Sequence, residues 1–222
     1  MLILVTDIFG ETSWCKTLLQ TWQQKGHNTF CISPYEENDG LTNFENEQQA
    51  YQAFQDAGGL EAYVNKLKLC LAQLNISDEQ AINCIGFSAG AAALWQVVST
   101  KLNTNSHLCI NHCIGFYPGQ IRHSLDLTPS CPFTIVFPKE EDHFDLPKVI
   151  QHLVTKQNLR IVQVPLKHGY VNPQSVNYDM TASEQVTDML VNVECINQPS
   201  VFIPSLIQQN KMHEERTCSL PS

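Results

Sequence analysis

A serine between two glycines is the first feature of the sequence that could carry chemistry. Gly86-Phe87-Ser88-Ala89-Gly90 follows an apolar segment and precedes a run of alanines. An apolar run that ends in G-x-S-x-G and then changes to helical periodicity predicts a strand, a very tight turn and a helix. The serine hydroxyl is then exposed at the tip of the turn, where it could act as a nucleophile. The same residues are also compatible with an ordinary strand-to-helix turn in which the serine caps the helix.

Partners for this serine follow two later strands. A serine hydroxyl is a weak nucleophile and needs an imidazole base that a carboxylate orients. In hydrolases built on a parallel sheet the partners come in the order serine, acid, histidine, each in a loop after a strand. The segment VPLKHGY places His168 between the last predicted strand and the last helix, which favours it as the base among eight histidines. The segment FPKEEDHFD offers four competing carboxylates: Glu140, Glu141, Asp142 and Asp145.

The elements that must position these residues alternate along the whole chain. Such alternation predicts an α/β fold, a mainly parallel sheet with helices on both faces, whose ligands bind at the carboxyl ends of the strands. We expect a single domain over 1–196 and a partly disordered tail over 197–222. The expected strands are 2–8, 28–33, 81–87, 108–116, 133–137 and 160–166. The expected helices lie near 14–26, 47–74 with a break at Gly58-Gly59, 88–98 and 146–155, with a last helix that carries Ala182, Val186, Met189, Leu190 and Val193.

Composition restricts the class of partner. The net charge of -9 and the pI near 5.3 argue against nucleic acid or an anionic membrane, since both are polyanions. No apolar run approaches the roughly 20 residues that span a bilayer. The N-terminal MLILVTDIFG has no basic leader, so we expect a first strand there and not a signal peptide. Nine cysteines, mostly in apolar segments, favour reduced core thiols and a cytoplasmic protein.

Five short motifs in one order give a more specific indication. They are DIFG at 7–10, GFSAG at 86–90, GFYPG at 115–119, DHF at 142–144 and HGY at 168–170. Together they resemble the dienelactone hydrolase family of α/β-hydrolases, from the first strand to the last helix. The resemblance implies a serine esterase with a catalytic triad: Ser88 as nucleophile, Asp142 as orienting acid and His168 as base.

The resemblance also implies the surroundings of the serine. The oxyanion would be held by the backbone NH of Ala89 and by one from the DIFG loop, that of Ile8 or Phe9. Asp7 has either a direct role or a structural one, as a buried carboxylate bonded to neighbouring NH groups. The residues that we expect in the substrate pocket are Asp7, Phe87, Tyr117 and Tyr170.

Three departures from the family concern the chemistry. Founding members have a cysteine at the position of Ser88, the early edge strands of longer relatives have no counterpart, and the arginines that hold the substrate carboxylate are not found after His168. An acidic segment follows the second strand and contains Glu36, Glu37, Asp39, Glu45 and Glu47. It is either a rim of the site or a solvated loop. With the missing arginines it favours small neutral or cationic acyl substrates.

Other functions are less well supported by the sequence. HLCINHC at 107–113 suggests a metal site, but Cys109 and Cys113 would face one side of a strand and His112 the other, so no metal is expected. No G-x-G-x-x-G follows the first strand, so no nucleotide cofactor is expected either. The main alternative to a hydrolase of small acyl molecules is an inactive binding or regulatory module of the same fold.

Overall fold

Six parallel strands form one sheet in the order β2-β1-β3-β4-β5-β6. The structure, a computed structural model, describes residues 1–36, 44–74, 81–100 and 109–197. This is the parallel α/β sheet that the alternation of segments predicts. The strands are β1 (Leu2–Val5), β2 (Thr29–Ile32), β3 (Ile82–Phe87), β4 (Ile110–Phe116), β5 (Phe133–Phe137) and β6 (Leu159–Gln163).

Seven α-helices and one short 3₁₀ helix connect or follow these strands within the described residues. None of these helices is long and apolar enough to cross a membrane. The helices are α1 (Ser13–Gln24), α2 (Glu47–Asp56), α3 (Gly59–Gln73), α4 (Ala89–Ser99), η1 (Gly119–His123), α5 (Leu146–Leu153), α6 (Met180–Val191) and α7 (Val193–Asn197).

The ends of several elements differ from the sequence-based expectation. β1 ends at Val5 and not at residue 8, because the chain turns there into a loop that carries Asp7 and Gly10. The last helix was expected to include Val193, but α6 ends at Val191 and a separate short helix begins at Val193. The expected tail after residue 197 lies outside the described residues, and so does Leu108, the expected first residue of the fourth strand.

Two apolar clusters cover the two faces of the sheet. One is packed around α3 and α4 and includes Trp95, and the other is packed around α1 and α6 and includes Trp22. Polar bonds join α1 to α6 within the second layer. Trp22 Nε1 donates to the carbonyl oxygen of Leu190 at 2.8 Å, and Trp14 Nε1 donates to Thr187 Oγ1 at 3.0 Å. The first and last long helices are therefore fixed to each other.

The order of the strands determines where a ligand can bind. From β1 the chain moves outward to β2 and then crosses to β3 on the other side of β1. Loops that leave β1 and β3 at their carboxyl ends therefore diverge and leave a crevice, which is where open α/β sheets bind ligands. The loop after β1 carries Asp7, and the turn after β3 carries Ser88.

Candidate active site

Ser88 lies in a strained turn between β3 and α4. Its φ of 46° and ψ of -113° place a non-glycine residue at positive φ, a conformation that costs free energy and persists only when the surroundings impose it. Glycine at position 90 is required by close approach, because a Cβ there would collide with the backbone carbonyls of Val5 and Thr6. Ser88 makes no side-chain bond that caps α4. The helix-cap alternative for this serine is thus not observed.

The hydroxyl of Ser88 contacts His168 instead. Ser88 Oγ lies 2.9 Å from His168 Nε2. The imidazole comes from the loop after β6, where Gly169 adopts a φ of +82° that favours glycine. Asn177 Nδ2 donates to the backbone oxygen of His168 at 3.0 Å, and the ring of Tyr117 packs 5.0 Å from the imidazole, centroid to centroid. The backbone and the ring of the histidine are therefore both held.

The carboxylate that contacts His168 is Glu141, and the prediction of Asp142 is corrected. His168 Nδ1 lies 2.8 Å from Glu141 Oε1, and the Glu141 side chain is only 7% exposed. Asp142 is exposed on the following turn of the loop. Since a carboxylate only accepts, Nδ1 carries the proton and Nε2 is free to accept from Ser88. The acid loop is tied to the histidine loop by Lys139, whose backbone NH donates to the carbonyl of Leu166 at 2.9 Å.

Two of the three expected oxyanion donors have a backbone amide that is free to bind an oxyanion. The Phe9 amide donates to Asp7 Oδ1 at 3.0 Å, so it is already used and the expectation for Phe9 is corrected. Among the described residues, the amides of Ile8 and Ala89 have no acceptor. Ile8 lines the cleft beside Ser88, and Ala89 is the first residue of α4, where amide groups point out of the helix end.

Asp7 is a buried carboxylate with both oxygens bonded. Besides the Phe9 amide, it accepts a bond of 2.7 Å from Asn172 Nδ2 to Oδ2, across 165 residues of sequence. These contacts match the structural alternative for this residue. Burial raises the pKa of Asp7 from 3.8 to about 6, against the opposing effect of the two hydrogen bonds.

The residues expected in the substrate pocket lie behind the cleft and not in it. Phe87, Tyr117 and Tyr170 are each at most 3% exposed. Asp7, Phe87 and Tyr117 line a small separate cavity beneath the site, with Cys15 among its other lining residues. The ring of Tyr117 packs against His168 and is itself in contact with the rings of Phe87 and Tyr170. None of the four residues lines the cleft, so the pocket prediction for all four is corrected. Strand-end aromatics are readily mistaken for pocket residues, since the sequence does not tell which side of the loop they face.

An open cleft of about 590 Å³ lies above Ser88 and His168. One wall comes from the first turns of α2, a second from η1 and the acid loop, and a third from the segment before α6. The other lining residues are Ile8, Glu47, Gln48, Tyr51, Gly119, Gln120, Arg122, Glu140, Glu141, Asp142, His143, Phe144, Lys167, Val176 and Asn177. Sequence analysis missed the lining residues that lie outside the sequence motifs, which are Gln48, Tyr51, Gln120, Arg122, Val176 and Asn177.

Comparison with known proteins finds relatives of this architecture. No protein-family model matches the chain. The uncharacterized protein YczH of Bacillus subtilis (strain 168) is 28% identical over 181 residues, which cover 81% of this chain and 84% of YczH. A Klebsiella pneumoniae subsp. pneumoniae MGH 78578 protein assigned as a dienelactone hydrolase superposes with a TM-score of 0.60 at 14% identity, over 82% of this chain and 81% of that one. The dienelactone hydrolase-like promiscuous phosphotriesterase P91 from metagenomic libraries has a TM-score of 0.56 at 11% identity, over 86% and 84%.

This chain has the α/β-hydrolase fold. Its fold is similar to those of the dienelactone hydrolase structures named above, as the motif order predicts. The sheet has six parallel strands within the described residues, and Ser88 follows β3, one of its two central strands.

Part of the expected acidic rim, as far as the structure describes it, faces the cleft. Glu47 lines it at the start of α2. Glu36 is paired with Lys66 at 2.9 Å, and Glu45 is exposed just before α2. Glu37 and Asp39 lie outside the described residues. In the suspected metal motif, His112 contacts Thr134 Oγ1 at 3.0 Å, and the described residues contain no group of three side chains that could hold a metal ion.

The buried Asp7 gives a pH dependence of stability. Its native pKa of about 6 exceeds 3.8, so between these values the native state binds more protons than the unfolded state and stability falls as pH rises. Relative to Asp7→Asn, which does not titrate, we expect the free energy of unfolding to fall by about 2 kcal/mol from pH 4 to pH 7. Urea unfolding of both proteins at four pH values measures this. A difference that stays constant with pH would contradict it.

Proposed function

We propose that the protein is a serine hydrolase that cleaves a small carboxylic ester, lactone or thioester through an acyl-enzyme on Ser88. The observation that supports this most is the continuous chain of bonds from Ser88 Oγ to His168 Nε2 and from His168 Nδ1 to Glu141. That arrangement is what acyl transfer by serine requires. The relatives named as dienelactone hydrolases agree with the type of reaction, although the substrate is not carried over from them.

Each group has one task in the proposed reaction. His168 Nε2 takes the proton of Ser88 as its Oγ attacks the acyl carbon, and the protonated imidazole then gives this proton to the leaving group. Glu141 holds the imidazole in the tautomer with Nδ1 protonated and stabilises the imidazolium. Water then attacks the acyl-enzyme with His168 again as base, which releases the acid and restores Ser88.

The oxyanion is proposed to bind the amides of Ile8 and Ala89. Losing one such donor typically costs about 3 to 4 kcal/mol of transition-state stabilisation. Asp7 contributes indirectly, because its bonds to the Phe9 amide and to Asn172 fix the loop that carries Ile8. Asp7 is thus a positioning residue in this proposal.

The proposal is tested with the native protein on a panel of nitrophenyl esters, lactones and thioesters of increasing acyl length. We expect turnover of at least one of these substrate classes, since the cleft of about 590 Å³ has room for a small acyl compound beside Ser88. A fluorophosphonate probe should label the protein on Ser88. Absence of both labelling and turnover would favour the binding or regulatory module.

A further inference from the structure

One cationic side chain on the cleft wall has no part in the proposed reaction. Arg122 lies in η1, the short helix just after β4, and lines the same cleft as Ser88 and His168. It is half-buried, so its guanidinium is partly removed from water. The position of Arg122 in the cleft is determined by η1, and none of the sequence motifs contains this residue.

The guanidinium of Arg122 is held in place but not neutralised. Its Nη1 donates to the carbonyl oxygen of Gly119 at 2.6 Å, and its central carbon lies 5.0 Å from the ring centroid of Phe144. It forms no ion pair with a carboxylate anywhere in the described ranges. A guanidinium has five N–H donors in a fixed fork, so most of them are left for another acceptor. An immobilised arginine loses little further side-chain entropy when it binds a ligand.

Arg122 lies on the histidine side of the cleft. A Cβ built on Gly119, the residue to which Arg122 is bonded, would lie 3.4 Å from His168 Cε1 and 3.7 Å from Glu141 Oε1. Glu47 belongs to α2, which adjoins the Ile8 loop: the hydroxyl of Tyr35 donates to the carbonyl oxygens of both Ile8 and Ala50, at 2.6 and 3.3 Å. Because the imidazole protonates the leaving group, the side of the cleft next to it receives the alcohol or thiol part of the substrate.

The other charges on this side do not cancel Arg122. Glu140 lies 3.5 Å from Lys139, and Glu141 is bonded to His168. Asp142 and His143 are exposed on the acid loop, and Lys167 is exposed on the histidine loop. Exposed charges are largely screened by solvent and salt, whereas a half-buried guanidinium is screened less.

We propose that Arg122 binds an anionic oxygen group, a carboxylate or a phosphate, on the leaving-group part of the substrate. The inference rests on the proposed function and adds a substrate class to it. The substrate is an ester or thioester with a neutral acyl group and an anionic alcohol or thiol. Hydrolysis breaks the bond from acyl carbon to leaving atom, adds water to the acyl carbon, and releases the anionic alcohol with the proton from His168. The neutral acyl group agrees with Glu47, which lines the cleft from α2 beside the Ile8 loop.

A matched pair of esters tests the proposal. O-butyrylglycolate and O-butyrylglycolamide share the acyl group and differ in the charge of the alcohol part. We expect the native protein to have about 10- to 100-fold higher kcat/KM for the glycolate ester at low salt, with a smaller ratio at 1 M salt. Arg122→Gln should remove this preference, and Arg122→Lys should keep only part of it because lysine lacks the fork. Lys16→Gln, which removes an equal charge from the exposed face of α1, should retain it.

A binding measurement separates this proposal from the proposed function. Affinities of the two esters for Ser88→Ala are measured by calorimetry, with and without Arg122→Gln. Tighter binding of the glycolate ester that depends on Arg122 supports the site, whether or not the native protein turns over esters. Equal affinity for both esters, binding of neither at millimolar concentration, or an equal loss for both in Arg122→Gln would overturn it.

Discussion

Replacing Ser88 by alanine is expected to reduce ester turnover by about 10⁵-fold or more and to abolish labelling by a fluorophosphonate. The change removes the oxygen on which the proposed acyl-enzyme forms, and such losses in serine hydrolases reach this size. The hydroxyl contacts only His168 among the described side chains, so the fold should be retained. Initial rates with a short nitrophenyl ester, together with mass spectrometry of the labelled protein, measure both effects.

The matched control for Ser88 is Ser13→Ala. Ser13 is an exposed serine at the start of α1 that does not line the cleft, and its change should leave rate and labelling as in the native protein. The fold of the Ser88 variant is checked by its urea unfolding midpoint. Turnover that survives in the pure, folded Ser88→Ala protein would defeat the acyl-enzyme mechanism.

Replacing Glu141 by glutamine is expected to lower kcat by about 10³- to 10⁴-fold. The amide removes the charge that stabilises the imidazolium and no longer enforces the tautomer with Nδ1 protonated, and a comparable change in another triad has an effect of this order. The neighbouring change Asp142→Asn should alter kcat by at most about threefold, since Asp142 is exposed and Glu141 makes the contact. Steady-state kinetics of the two variants make the comparison.

The pair of variants decides which carboxylate serves His168. A large loss in Asp142→Asn with a small loss in Glu141→Gln would restore the assignment made from the DHF motif. Equal and small losses would show that His168 works without a carboxylate, and the proposed role of Glu141 would be withdrawn.

Ser88 and His168 could be predicted because the backbone geometry at each position requires a glycine close by in the sequence. Ser88 needs the glycine at position 90 for close approach to β1, and the turn at His168 needs a glycine at positive φ directly after it. The alternation of apolar strands and amphipathic helices likewise determines the sheet, and it identified β5 to the residue.

The orienting acid, the residues that line the pocket and the role of Arg122 could not be predicted in the same way. Glu141 and Asp142 are adjacent and chemically similar, and only the path of the loop decides which of them turns inward. Asp7 and Tyr117 follow strands, as pocket residues do, but burial beneath the cleft depends on packing across the sheet. Arg122 belongs to a short helix, and its guanidinium lies over the ring of Phe144 on another loop, a contact that no sequence pattern indicates.

The bonds between α1 and α6 determine when the site can form during synthesis. β1 is made first but lies inside the sheet, and α1 is fixed by side-chain bonds to a helix made more than 160 residues later. Contacts so distant in sequence form slowly and late. A nascent chain that ends before β6 contains its serine but neither its histidine nor the helix that completes the second layer. The proposed hydrolytic activity should therefore appear only in the last step of folding, when α1 packs against α6.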